Sequence, residues 1–75
     1  MTRTIAQWRA AYPRLTPVQL AERLDSPQAR DLVRAAFDLF KADPDNEAGY
    51  CAAADAYEAA ETAFLAAHSD TEVTL

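Results

Sequence analysis

Three acidic residues and a glycine stand at alternate positions near the middle of the chain, in a pattern that could begin a calcium-binding loop: Asp43, Asp45, Glu47 and Gly49. Such a loop needs a glycine at its sixth position and a bidentate glutamate at its twelfth. Counted from Asp43, those positions hold Ala48 and Ala54. The carboxylates instead suit the first turn of a helix, whose N-terminus carries a partial positive charge. The stretch therefore predicts a helix start and no metal site.

The other groups that could do chemistry are too far apart or lack the required partners. His68 and Cys51 are the only histidine and the only cysteine, and about five helical turns separate them, too many to share a proton or a zinc ion. Asp55, Glu58 and Glu61 repeat every three residues, but di-iron bundles need Glu-x-x-His motifs, which are absent here. Phosphate-binding glycine loops and nucleophile elbows are also absent. The sequence predicts a non-enzymatic protein with no catalytic residue, metal or cofactor.

Charge is divided unevenly along the 75 residues, which together carry a net charge of −5. Residues 1–41 hold seven basic and four acidic side chains, a net charge of +3, whereas residues 42–75 hold eight acidic and no Lys or Arg, a net charge of −8. The length allows one small domain. A single cysteine permits no intrachain disulfide, so a cytoplasmic location is expected. Charges interrupt every apolar run, and no membrane span is expected.

Helix start signals recur as a polar side chain followed by proline, at Thr16-Pro17, Ser26-Pro27 and Asp43-Pro44. With the apolar periodicity they predict four helices, at about residues 4–12, 17–24, 27–42 and 46–68. The expected fold class is all-α, a small four-helix bundle with two short N-terminal helices and two longer C-terminal helices packed antiparallel. Residues 1–68 would form one helical domain, and residues 69–75 would be a flexible, disordered tail.

The expected core collects the large apolar side chains on the inward stripes of these helices. It comprises Trp8, Tyr12, Leu24, Leu32, Val33, Phe37, Phe40, Tyr57 and Phe64.

The last predicted helix offers two surfaces for a partner. Its aromatic residues follow heptad spacing, and one leucine falls outside that stripe: Tyr50, Tyr57, Phe64 and Leu65. An adjacent face is acidic and would meet a basic protein surface: Glu47, Asp55, Glu58 and Glu61. These features favour a small cytoplasmic protein–protein interaction module. Phage or mobile-element accessory proteins that bind and modulate a host protein are one class of this kind.

Two alternatives stay open. Residues 16–37, TPVQLAERLDSPQARDLVRAAF, resemble a helix-turn-helix, which would aim Arg30 and Arg34 at the major groove with Arg23 near the phosphates. Asp25 stands where the usual turn glycine would be, and the chain is acidic overall, so nucleic acid is not the expected partner. The second alternative is a structural homodimer subunit, in which the aromatic row packs on a second copy of the chain.

Overall fold

A computed structural model describes all residues, 1–75, as four helices and one small antiparallel sheet. In chain order the elements are β1 Thr2–Thr4, α1 Ile5–Ala11, α2 Pro17–Ala21, α3 Pro27–Lys41, α4 Glu47–His68 and β2 Glu72–Thr74. The short connection 42–46 joins α3 to α4, and Ser26 at the start of α3 bonds His68 at the end of α4. The two long helices therefore run antiparallel. None of the helices is long and apolar enough to cross a membrane.

Side-chain caps fix where the helices begin. Thr4 and Thr16 each accept the backbone N–H of a glutamine three residues later, and that glutamine's side chain accepts the threonine's own N–H. The hydroxyl of Ser26 accepts the N–H of Ala29 at 3.1 Å and caps α3. These interactions satisfy N–H groups that have no partner inside the helix.

The last helix begins at Glu47, within one residue of the predicted start, but its cap is not Asp43. The cap is Asn46, whose side chain accepts the N–H of Gly49, whereas Asp43 accepts the N–H of Asp45 at 2.9 Å within the preceding turn. A proline directly after Asp43 is therefore part of a turn here and does not open the helix.

The predicted all-α bundle with a disordered tail is wrong, because residues 72–74 form β2 against β1. Thr2 pairs with Thr74, Arg3 with Val73 and Thr4 with Glu72. The tail has the alternation of a strand with one buried face: Val73 is 3% exposed and its two neighbours are exposed. Strands of three residues give almost no local signal, and the pairing joins opposite ends of the chain, so periodicity along one segment could not reveal it.

The core lies at one end of the molecule. Its fully buried side chains come from α1, α2, the first half of α3, the second half of α4 and β2: Ile5, Trp8, Leu20, Ala21, Ala29, Leu32, Phe64 and Val73. We call this end the head. Of the expected core residues, Trp8, Leu32 and Phe64 are buried there, and Leu24, Val33 and Tyr57 pack partly buried against it.

Three expected core residues lie on the surface instead: Tyr12 is 52% exposed, Phe37 59% and Phe40 88%. Helices α1 and α2 contain only seven and five residues, so they cannot cover the whole length of α3 and α4. Beyond the head, residues 37–52 form a two-helix projection, the hairpin tip, in which residues 43–52 are all exposed. An amphipathic stripe on α3 thus continues past the elements that could bury it.

The projecting tip makes the molecule elongated. Its dimensions are 41 × 23 × 16 Å and its radius of gyration is 13.1 Å, against about 11 Å for a compact domain of this length. The accessible surface is 5149 Å², against about 4500 Å² for a compact monomer of this mass. The chain therefore exposes about 600 Å² more surface than its size requires.

Candidate protein-binding site

A continuous apolar groove runs along the line where α2 meets α3. Its wider part has a volume of about 400 Å³ and its narrower part about 190 Å³, and the two parts share Glu22 and Val33. The apolar lining consists of Val18, Ala21, Leu24, Ala29, Val33, Ala36, Phe37 and Phe40. We call this feature the α2–α3 groove. Two of the exposed large apolar side chains of the protein, Phe37 and Phe40, line its narrower part.

The spacing along α3 explains the groove. Val33, Phe37 and Phe40 follow one another at i, i+4 and i+7, so they lie on one stripe of the helix beside the buried stripe that contains Leu32. Because α2 has only five residues, it covers Val33 in part and leaves the aromatic end of the stripe open. The short second helix therefore creates both the concave wall and the two uncovered rings.

The rim of the groove is charged. Arg30 donates to Asp25 at 2.7 Å, but the two side chains are 65% and 91% exposed, so this ion pair adds little stability. It is the one ion pair in the chain, so no carboxylate oxygen lies within 4.0 Å of the charged groups of Arg34 and Lys41. The ammonium group of Lys41 lies 5.3 Å from the ring centroid of Phe37, a cation–π contact at the solvent edge. Glu22 lines both parts of the groove, so the rim carries charges of both signs.

The residues of the aromatic row expected on α4 differ in how deeply they are buried. Phe64 is fully buried in the head, Tyr57 and Leu65 are half-buried against the core, and Tyr50 is 42% exposed. The side chain of Phe64 has no surface left for a partner. Burial, and then the negative charge of Glu61, raise the pKa of the Tyr57 hydroxyl. Only the Tyr50 end of the row is available at the surface.

The acidic side chains of α4 lie mostly in solvent. Glu47, Asp55 and Glu58 are exposed, and Glu61 is half-buried near Tyr57. Asp55 and Glu58 border a shallow surface formed largely by alanine. These side chains face solvent without a basic partner in the chain, as a solvated helix face would.

The arginines of the helix-turn-helix alternative are exposed as well. Arg30 and Arg34 line the α2–α3 groove, and Arg23 lies in the turn before α3. Arg30 pairs at the surface with Asp25, the residue that stands in place of the turn glycine of the motif.

A hydrogen-bonded cluster in the head was not predicted. The Oγ of Ser26 lies 2.8 Å from Nε2 of His68, and Nδ1 of His68 lies 3.0 Å from Oγ1 of Thr71. The Ser26 hydroxyl also accepts the capping N–H of Ala29, which occupies one of its lone pairs. None of the surface cavities includes Ser26 or His68. We interpret the cluster as a structural clasp that fastens α3, α4 and the turn before β2.

Sequence reasoning missed the groove because it assigned Val33, Phe37 and Phe40 to the interior. The lengths of the two helices could have revealed it, because a five-residue helix such as α2 cannot bury a stripe that extends over all fifteen residues of α3.

No three acidic, His or Cys side chains lie close enough together anywhere in the chain to hold a metal ion. The chain matched no protein-family model, no curated protein and no solved structure.

Proposed function

We propose that the chain is a small non-enzymatic protein–protein interaction module whose main contact surface is the α2–α3 groove. The observation that carries this proposal is the exposure of Phe40 and Phe37, 88% and 59%, directly beside an apolar concavity. An aromatic side chain buries about 150–250 Å² when it is fully covered, which is roughly one fifth to one third of the surface that one partner contributes to an interface of standard size. Large apolar side chains gathered at a groove are typical of binding surfaces.

The shape of the groove favours a helical ligand. Its lining extends along α3 from Ala29 to Phe40, a length of about 16 Å, or three turns. An amphipathic helix bound in such a groove places apolar anchors at i, i+3 or i+4, and i+7. Arg34 and Lys41 at the rim would pair with carboxylates that flank those anchors. The ligand class is therefore an amphipathic helix that carries acidic residues beside its apolar stripe.

The acidic side of α4 is a second, electrostatic surface in this proposal. Exposed Glu47, Asp55 and Glu58 would attract a basic region of the partner and orient it before contact, because surface charge acts mainly on encounter and orientation. Cys51 is free and exposed, a state that suits a reducing cytoplasmic setting. An accessory protein that modulates a larger host protein fits these features.

Affinity capture with matched variants tests the proposal. Wild type, Phe37→Ser/Phe40→Ser and Tyr12→Ser would each be immobilised and incubated with an extract of the native host. Tyr12 is a suitable control because it is aromatic and 52% exposed but packs beside Trp8 on α1. The proposal expects at least one protein that wild type and Tyr12→Ser retain and the double variant loses. Identical captured sets for all three would contradict a role for the groove.

A mobility-shift assay separates this function from the helix-turn-helix alternative. Binding to DNA through Arg23, Arg30 and Arg34 would weaken steeply with added salt, because each phosphate contact releases counterions. We expect no sequence-specific shift at physiological salt, since the chain carries a net charge of −5. A salt-steep, sequence-specific shift lost in Arg34→Ala would favour the DNA-binding function instead.

A further inference from the structure

We propose that the narrower part of the α2–α3 groove binds a lysine side chain of the partner protein. The apolar stem of that lysine would occupy the cavity, and its ammonium group would pair with the carboxylate of Glu22. This inference rests on the proposed function, because it names the residue that anchors the partner in the same groove. It specifies a cationic anchor, whereas an apolar lining alone would accept any aliphatic or aromatic side chain.

The first observation is the composition of the cavity. Its volume is about 190 Å³, and its lining consists of five apolar residues and one carboxylate, that of Glu22. A cavity of about 150 Å³ is enough to hold benzene, so the four-carbon stem and the ammonium group of lysine fit this space. An apolar lining with a single acidic group matches a side chain that is apolar along its length and positively charged at its tip.

The second observation is that the carboxylate of Glu22 has no partner within the chain. The one ion pair joins Arg30 to Asp25, so no basic group lies within 4.0 Å of Glu22. The N–H of Glu22 bonds the main-chain oxygen of Val18 at 3.0 Å, and both residues line the cavity from the α2 side. Because the site is open to solvent, an ion pair here would contribute more to the choice of ligand than to its affinity.

The third observation is that the two parts of the groove differ in charge. Arg30 and Arg34 line the wider part together with Glu22, whereas no basic residue lines the narrower part. A ligand cation in the wider part would lie beside two arginines and be repelled by them. The charge pattern therefore directs the basic anchor of the partner to the narrower part, and its uncharged or acidic residues to the wider part.

The fourth observation is that two aromatic rings border the same cavity. Phe37 and Phe40 line it, and neither ring packs against another aromatic ring of the chain. A ring face attracts an ammonium group that lies within about 6 Å of its centroid. Lys41 makes such a contact with Phe37 at 5.3 Å from outside the cavity. The rings would therefore hold both the stem and the charge of an entering lysine.

The number of hydrogen-bond donors favours lysine over arginine as this anchor. The ammonium group has three donors, whereas the guanidinium group has five in a fixed plane. Glu22 is the one charged residue that lines the cavity, so a guanidinium group would leave more of its donors facing apolar side chains. Donors that face apolar surface without a partner cost binding free energy.

Chemical-shift titration of the purified full chain with n-butylammonium chloride tests the inference, because this ion reproduces the lysine side chain. Sodium chloride would hold the ionic strength constant. We expect saturable shifts of the amides of Glu22, Phe37 and Phe40, with a dissociation constant in the millimolar range. The uncharged n-butanol should bind about fivefold more weakly or less. Shifts that do not saturate by about 100 mM, or equal binding of n-butanol, would overturn the inference.

Two matched substitutions test the role of the carboxylate. Glu22→Gln removes its charge, and Glu72→Gln makes the same change at an exposed position of β2, away from the groove. Glu22→Gln should weaken the binding of n-butylammonium about threefold or more, whereas Glu72→Gln should change it by less than about twofold. Lys41→Gln should tighten the binding, because it removes a cation beside Phe37. Equal effects of the two glutamate substitutions would contradict a pairing at Glu22.

The outcomes separate this inference from the proposed function. If n-butylammonium does not bind, but the chain captures a protein that Phe37→Ser/Phe40→Ser loses, the proposed function stands and the lysine anchor is overturned. If n-butylammonium binds at Glu22 but no protein is captured through the groove, the ligand is a free amine, and the partner's lysine is overturned as its source. If neither binds, both proposals fail.

Discussion

The indole Nε1 of Trp8 donates a hydrogen bond of 2.8 Å to the main-chain oxygen of Val73, across 65 residues of sequence. Trp8 is 5% exposed and Val73 3% exposed, so the bond lies inside the head. It fastens the first helix to the last strand and satisfies the one polar atom of the tryptophan ring. The segment that resembled a loose tail is in this way part of the core.

The same substitution at two adjacent residues of β2 should therefore have effects of very different size. Val73→Asp places a carboxylate in the core and should lower the free energy of unfolding by about 2 kcal/mol or more. Thr74→Asp changes an exposed neighbour whose hydroxyl bonds the exposed hydroxyl of Thr2, and should lower the free energy of unfolding by about 1 kcal/mol or less. Urea unfolding followed by circular dichroism measures both. Equal, small effects would mean that β2 is not packed against the head.

The Ser26–His68 clasp should behave as a coupled pair. Ser26→Ala removes both the cap of α3 and the hydrogen bond to His68, and should cost about 1–2 kcal/mol. His68→Ala removes the bonds to Ser26 and Thr71. In a double-mutant cycle the two losses should fall short of additivity by about 0.5 kcal/mol or more. Fully additive losses would show that the two side chains act independently.

Two apolar residues of α3 should differ sharply in their contribution to stability. Leu32 is fully buried, so Leu32→Ala should cost about 2–5 kcal/mol by leaving a cavity. Phe40 is 88% exposed, so Phe40→Ala should change the unfolding free energy by about 0.5 kcal/mol or less when measured at high dilution. Chemical unfolding of both variants at the same low concentration makes the comparison. A large loss for Phe40→Ala under those conditions would place its ring in the monomer core.

One tyrosine should ionise at a higher pH than the other two. Burial and the charge of Glu61 raise the pKa of Tyr57 above its ordinary value of about 10. The unfolded chain therefore loses this proton first, so the contribution of Tyr57 to stability is complete below pH 10 and is lost as pH rises through the raised pKa. Ultraviolet titration of tyrosinate should show a late component that Tyr57→Phe removes. A late component that persists in Tyr57→Phe would have to arise from Tyr12 or Tyr50.

Local sequence signals predicted the starts of α2 and α3, because each start depends on a side chain within four residues. Thr16 and Ser26 cap these helices through such contacts. The strand pairing of Arg3 with Val73 depends on residues at opposite ends of the chain, and nothing in either short segment specifies the other. Elements built from near neighbours were therefore predictable, and the sheet was not.

The groove illustrates a second limit of sequence patterns. Leu32 and Phe40 are both on the apolar side of the amphipathic helix α3, and the sequence pattern assigns both to the interior. The two residues differ in burial because the apolar side of a helix is buried only where another element covers it. Helix α2 ends too early to cover Phe40. The types of residue in the site were visible in the sequence, but their exposure depended on the packing of the whole chain.

The measurement that tests the groove most directly compares ¹H–¹⁵N correlation spectra of the wild-type chain before and after addition of the protein that it captures from the host extract. We predict shifts along the α2–α3 groove, centred on Val33, Phe37 and Phe40, with the amides of β1 and β2 unchanged. Shifts confined to the outer face of α4, with the amides of the groove unchanged, would contradict the assignment of the groove as the main contact surface.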